Sequence, residues 1–436
     1  MNRKIGLAMP PNPTVAFFPE GAFGPTNNCV GIANVLRSRG FRVVFVVEES
    51  FAGTLEAKGF EEARMRLTPK PEVEEEPGQY WKDFIRDTAP QFRKPTIDQL
   101  DGLILPIWQG LIDGAKYVEP RLREIFDHLH PGAIVQDNVV AFPAVLTAGV
   151  PWVRIVSCNP LELRDPALPP TFSGYPSQDS SLWEDFRRRY AQTHTEAWRD
   201  FDAFCLEQGA PGLPSLEFMA ESPWLNLYLY PKEADYRRSV SLGSSWHRLE
   251  TCVRDTDEAY DVPSYLGSEG ALIYLSLGSL GSADVGLMQR LIDVLGTTRH
   301  GVIVSMGPQH RELKLAGNMA GDEFLPQASI LPKVDLVITH GGNNTVTESF
   351  RHGKPMIALP LFWDQYDNAQ RIDELGFGIR LRSYEFEDDE LLGGIERLLA
   401  DDRLRDRLDA MSARLAGQPG TVRAADLIEE LIRRSA

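Results

Sequence analysis

DEFLPQASILPKVDLVITHGGNNTVTESFRHGKPMIALPLFWDQYDN, residues 322–368, is the stretch from which the rest of this chain is read. Leu336 to Thr339 is a short apolar run rich in β-branched residues, the pattern of a buried strand. His340-Gly341-Gly342-Asn343-Asn344-Thr345 follows without a spacer, so the strand passes through a glycine turn into a helix. The first amides of a helix have no internal partners and carry the positive end of its dipole, which makes such a turn an anion site. Glycines let the backbone approach a phosphate, and His340, Asn344 and Thr345 add side-chain donors. Glu348, four residues after Asn344, falls on the same helix face and suits a pair of ribose hydroxyls. A second apolar run, Met356 to Pro360, ends at a polar tip, Trp363-Asp364-Gln365, suited to sugar hydroxyls. Phosphate, ribose and hexose contacts in this order describe a nucleotide-sugar site.

At these residues the chain resembles the donor-binding signature of the family 1, UDP-dependent glycosyltransferases of the bacterial or plant natural-product type. The family's pattern is an aromatic residue with Pro-Gln, then His-x-Gly-x-Asn-(Ser/Thr), Glu three residues on, and Asp/Glu-Gln. Here these are Phe324, Pro326-Gln327, His340, Gly342, Asn344-Thr345, Glu348 and Asp364-Gln365. The resemblance implies an α/β chain of GT-B fold, two facing Rossmann-like domains with parallel sheets and an interdomain cleft. It implies donor contacts from those residues, from Asn343, and from Ser279 after the strand Leu272 to Leu277. Phe324 is expected to stack on uracil where the family usually has tryptophan. Glu348 argues for UDP over dTDP, and Asp364-Gln365 for a fully hydroxylated hexose, glucose by expectation. The resemblance also implies inversion, and Met356 stands where a Glu-x7-Glu element would place its second glutamate. No cofactor and no metal are expected, with the UDP-sugar as donor substrate.

The rest of the sequence agrees with such an enzyme. A length of 436 residues exceeds what one core usually holds. Lys and Arg number 45 against 62 Asp and Glu, a net charge of −17, which disfavours nucleic acid and anionic membrane as partners. Cys29, Cys158, Cys205 and Cys252 are far apart and suggest neither a disulfide scaffold nor a zinc site. There is no long apolar span, and Ile5 to Met9 is too short for a secretory signal. A cytoplasmic monomer or homodimer is expected.

Domain boundaries are expected at 1–240 for an acceptor-binding domain, 241–270 for a linker, 271–415 for the nucleotide-sugar domain and 416–436 for a helix crossing back. In the first half, Val15 to Phe18, Phe41 to Val47, Ala133 to Val135, Trp152 to Val156 and Leu225 to Tyr230 read as strands, and Cys29 to Ser38 as a helix. The segment Pro69 to Pro120 reads as an insertion rich in aromatics. Trp81, Phe84, Trp108 and Phe142 are the candidate lining of a small, hydrophobic, phenolic or polycyclic acceptor's pocket. Asp255 and Asp257 fall in the linker, where solvated charge explains them better than a metal.

One position departs from the family. Counting back from Gly40, the family's Gly-His pair, whose histidine is the general base, falls on Gly24-Pro25. Proline has no titratable proton, although it suits a first helical turn. Asp137, the expected partner of that histidine, becomes the first candidate base; Glu20 is the second and His194 the third. A carboxylate base suits a phenol better than an alcohol. The alternatives are a C-glycosyltransferase using an aspartate base, or a UDP-sugar-binding protein with weak or partner-dependent activity.

Overall fold

The computed structural model describes residues 13–21, 23–70, 88–253, 259–266 and 269–435. Trp81, Phe84, Asp255 and Asp257 lie outside the described residues, as does the side chain of Ser279. Seven parallel strands form the first sheet: β1 (Thr14–Pro19), β2 (Arg42–Glu48), β3 (Glu61–Met65), β4 (Ala133–Asp137), β5 (Trp152–Val156), β6 (Leu225–Tyr228) and β7 (Trp246–Arg248). Six more form the second: β8 (Leu272–Ser276), β9 (Gly301–Ser305), β10 (Met319–Asp322), β11 (Leu336–Thr339), β12 (Met356–Ala358) and β13 (Gly378–Arg380). Their orders, β3-β2-β1-β4-β5-β6-β7 and β10-β9-β8-β11-β12-β13, are the same doubly wound topology twice. In each, the order reverses beside the first strand, between β1 and β4 and between β8 and β11.

The central strands are buried throughout because helices cover both faces of a parallel sheet. One face of the first sheet packs on α1 (Phe23–Ser38), whose Cys29, Ile32, Ala33 and Leu36 are buried. The other packs on α2 (Leu105–Leu129) and α3 (Trp183–Glu207). The charged segment at α3 buries Trp183, Phe186, Tyr190, His194, Ala197, Phe201 and Cys205, a single stripe at helical spacing. His194 lies in that stripe, its ring stacked on Tyr190 at 3.9 Å. Burial holds its pKa down to about 4. It is a core histidine, far from a base's role.

The strands at either edge of the first sheet carry little apolar pattern. β3, Glu-Glu-Ala-Arg-Met, buries only Met65 fully, as an edge strand facing water can. β7 falls inside the stretch 241–270 read as linker; Asn226, Leu227 and Tyr228 pair with its three residues, so the sheet runs on to Arg248. Likewise the later part of the segment Pro69 to Pro120, read as an insertion, is the start of α2, which begins at Leu105 and carries Pro120 within it.

In the second half, α4 (Asn343–Arg351) and α5 (Gln365–Glu374) follow β11 and β12. The last helix, α6 (Gly420–Ser435), returns to the first domain. Its Ala424, Ala425, Ile428 and Ile432 join the core of Val15, Phe17 and Val30. Arg39 binds Asp426 at 2.7 Å and Glu429 at 2.9 Å, and Gly420 packs so closely on the Leu249 and Thr251 carbonyls that no Cβ fits. Ile428 has no exposed surface. Ile428→Ala is therefore expected to cost about 2–5 kcal/mol, measured as a lower denaturation midpoint of the first domain by urea titration.

Candidate active site

The carboxyl ends of the two sheets face each other across a cavity of about 1010 Å³. Glu20 reaches it from the end of β1, Asn138 from β4, Ser157 from β5, Ser276 and Gly278 from β8, and His340 and Gly342 from β11. This is where strand order reverses, and adjacent loops there part to open a crevice.

On the second-domain side, Gly342 caps α4 and the helix start at Asn343 and Asn344 lines the cavity. Gly341 takes a left-handed φ of 88°, open to glycine at little cost. His340 is packed between two glycines: a Cβ on Gly278 would stand 2.7 Å from its ring, and one on Gly342 2.5 Å. Burial lowers its pKa to about 4, against a hydrogen bond to the Ser276 backbone that raises it. His340 is thus neutral at physiological pH, its one N–H directed to the Ser276 carbonyl. Gln327 donates to Glu348 at 2.6 Å, and Thr345 donates to the Gln327 oxygen at 3.4 Å. Phe324 stands at the rim, 59% exposed. The oxygen of Gln365 accepts from the Leu361 and Phe362 amides, leaving its NH2 end as donor.

Two residues read as donor contacts have a different attachment. Asn344 donates to the Gly24 carbonyl at 2.8 Å and accepts from Asn28 at 2.9 Å. Asn343 donates to the Leu229 carbonyl at 3.1 Å. Both carboxamides tie α4 to the first domain. No signal in the sequence distinguishes these uses, because the partners lie more than a hundred residues away.

On the first-domain side, Phe142 lines the cavity and meets Phe18 edge-on at 4.7 Å. Trp108 does not line it. Its indole stacks on Phe218 at 4.4 Å and lies 5.0 Å from Trp363, behind the wall. Trp363 itself faces the cavity with a left-handed φ of 58°. Such a conformation in a tryptophan persists only where packing over-determines it, here through Phe172 at 4.4 Å and Trp108. Met65, Leu67, Ile107 and Leu111 complete an apolar wall that the sequence reading missed. Ile107 and Leu111 carry a usable signal, the i,i+4 spacing along α2; β3's residues carry none.

The two carboxylates differ. Asp137 is buried behind Ser157, whose hydroxyl donates to it at 2.7 Å, and it does not line the cavity. Burial pushes its pKa well up. Glu20 does line the cavity, its backbone N–H held by the Asp137 carbonyl at 2.8 Å. Burial, then the charges of Glu162 and Asp364, raise its pKa to about 7. Pro25 lies beside it in the first turn of α1.

Comparison with known proteins agrees with this geometry. The family described as erythromycin biosynthesis protein CIII-like, C-terminal domain, matches residues 289–431. Demethyllactenocin mycarosyltransferase of Streptomyces fradiae is 25% identical over 97% of this chain and 87% of its own. The solved glycotransferase of kitacinnamycin superposes with a TM-score of 0.69 at 22% identity, covering 97% of this chain and all of its own. The chain is similar to glycosyltransferases of the natural-product type over nearly its whole length. NDP-glycosyltransferase YjiC of Bacillus subtilis (strain 168) is also similar, 24% identical over 95% of this chain and 96% of its own. The fold of this glycosyltransferase is GT-B, with its cavity between two nucleotide-type domains.

Gly278 has a φ of 69° and touches the His340 ring. A side chain there must displace that ring and adopt a left-handed backbone, at about 1–2 kcal/mol for the backbone alone. Gly278→Ala is expected to weaken binding of a nucleoside diphosphate at least about tenfold, read by titration calorimetry.

Proposed function

We propose that this glycosyltransferase moves a hexose, glucose in the first instance, from a UDP-sugar to a hydroxyl of a small hydrophobic phenolic or polycyclic acceptor, with inversion and without a metal. The observation that carries this reading is the pairing, in one cavity, of Glu20 from the first domain with His340 and the start of α4 from the second. Glu20 takes the acceptor's O–H proton as the oxygen forms its bond to the sugar C1. The bond from C1 to the diphosphate breaks on the opposite face, and UDP leaves with its charge on the α4 amides. One displacement inverts C1. A base near pH 7 is within reach of a phenol near 10, and the apolar wall suits a ring acceptor.

Glu348, oriented by Gln327, favours a ribose with both hydroxyls and therefore UDP. The mycarosyl group named for one relative keeps other sugars in the test. With Asp137 outside the cavity lining, the aspartate-based C-glycoside reading has no support from geometry. The test incubates the protein with UDP-glucose or dTDP-sugars and a panel of phenols. An acid-labile β-O-glucoside formed from UDP-glucose supports the proposal; an acid-stable product, a preference for dTDP-sugars, or UDP binding without product overturns it.

Glu20→Gln is expected to lower kcat about 10²- to 10⁴-fold with UDP affinity unchanged in calorimetry. The base must be ionised, so in the wild type kcat/KM falls as pH drops below about 7. In the pH profile of Glu20→Gln that acid limb disappears.

A further inference from the structure

Asp364 is the carboxylate that the donor reading assigns to the sugar, and it is held by the other domain. The backbone N–H of Asn159, just beyond β5, donates to Asp364 Oδ2 at 2.8 Å. The Asn159 side chain donates to Asn368 Oδ1, also at 2.8 Å. Asn368 in turn donates to the Gly341 carbonyl at 2.9 Å and reaches Asp364 Oδ2 at 3.4 Å. Asn159 keeps its own loop in shape by accepting the Leu161 amide at 2.9 Å. Asn159 and Asn368 are fully buried, whereas Asp364 lines the cavity. The three residues therefore close a ring of hydrogen bonds across the domain boundary, with Asp364 as its one member at the substrate.

We propose that Asn159 and Asn368 are positioning residues that orient Asp364 for the sugar, so that sugar discrimination is complete only when the two domains are together. The inference rests on the reading of Asp364 as a sugar contact. A carboxylate with one oxygen held presents the other in a fixed direction; one with neither held rotates and accepts from whichever hydroxyl is near. Neighbouring contacts keep the same helix in place. Asp367 accepts from the Phe172 and Gly174 amides at 2.6 and 2.8 Å, Glu374 accepts from the Ser177 amide and hydroxyl at 2.9 and 2.7 Å, and Arg371 donates to the Ala234 carbonyl at 2.7 Å. With α5 anchored elsewhere, removing the Asn159 carboxamide disturbs the ring and leaves the domain contact standing.

The experiment compares wild type, Asn159→Ala and the isosteric Asn368→Asp, the second serving if the first does not fold. UDP affinity is read by calorimetry, and kcat/KM is measured for UDP-glucose and UDP-galactose. UDP binding is expected to stay within about twofold, while the KM for UDP-glucose rises about tenfold, the scale of a lost charge-assisted bond. The ratio of kcat/KM for the two sugars is expected to move toward one. Unchanged sugar discrimination in both variants overturns the proposal, as does a fall in UDP affinity equal to the fall for UDP-sugar, which marks a merely structural role. A wild type that takes no UDP-hexose overturns the donor reading instead; the same comparison then runs with the nucleotide sugar it does use.

Discussion

The carboxamide of Asn344 is bound at both ends by the opposite domain, its NH2 to the Gly24 carbonyl and its oxygen to Asn28. That one side chain sits at the start of α4 and touches the start of α1, so the N-termini of two helices converge on the same space. Each helix is there because a parallel strand delivers it: β11 leads into α4 and β1 into α1. The reversal of strand order beside β1 and β8 opens a crevice at both points. Interlocking the two crevices makes one cavity, lined by the start of α4 from the second domain and by Glu20 from the first.

Desolvation governs what the groups in that cavity can do. It keeps His340 neutral, so that ring is a dipole, held in place by two glycines. It raises Glu20 to about 7 and Asp364 to about 7; the charge of Glu162 adds to both, and that of Asp364 adds to Glu20. Carboxyls so buried and so close to other acids hold protons that exposed carboxyls would lose. Asp137 experiences the same burial without access to the cavity, and its hydrogen bond from Ser157 makes it part of the wall.

Trp363 and Trp108 illustrate how closely the domains depend on each other. Trp363 belongs to the second domain by sequence yet packs on the aromatic core of the first. Its strained backbone brings Asp364 and Gln365 to the cavity. Trp108, expected at the acceptor, supports that tryptophan from behind. An aromatic residue on a helix can face either way by spacing alone, and the choice between pocket and core was made by Phe172 and Phe218, which come from distant loops.

The sequence by itself determined the parts in which chemistry and spacing are local. The strand, glycine turn and helix of residues 336–351 could be read directly, because β-branched residues, paired glycines and a capped helix follow in order. The two-domain fold and the missing histidine at Pro25 were legible through the resemblance to the glycosyltransferase family, the one by matching its pattern and the other by breaking it. Edge strands β3 and β7 were not, since their stability comes from a neighbour's hydrogen bonds and not from an apolar pattern. Only the tertiary structure decided which carboxylate lines the cavity. Glu20 and Asp137 end adjacent strands one residue apart in register, and which of them lines the cavity depends on Ser157 covering one and leaving the other open. It also decided that Asn343 and Asn344 join domains through side chains whose partners are far away in the chain. Such contacts have no period in sequence, because they exist only once both sheets are folded and face each other.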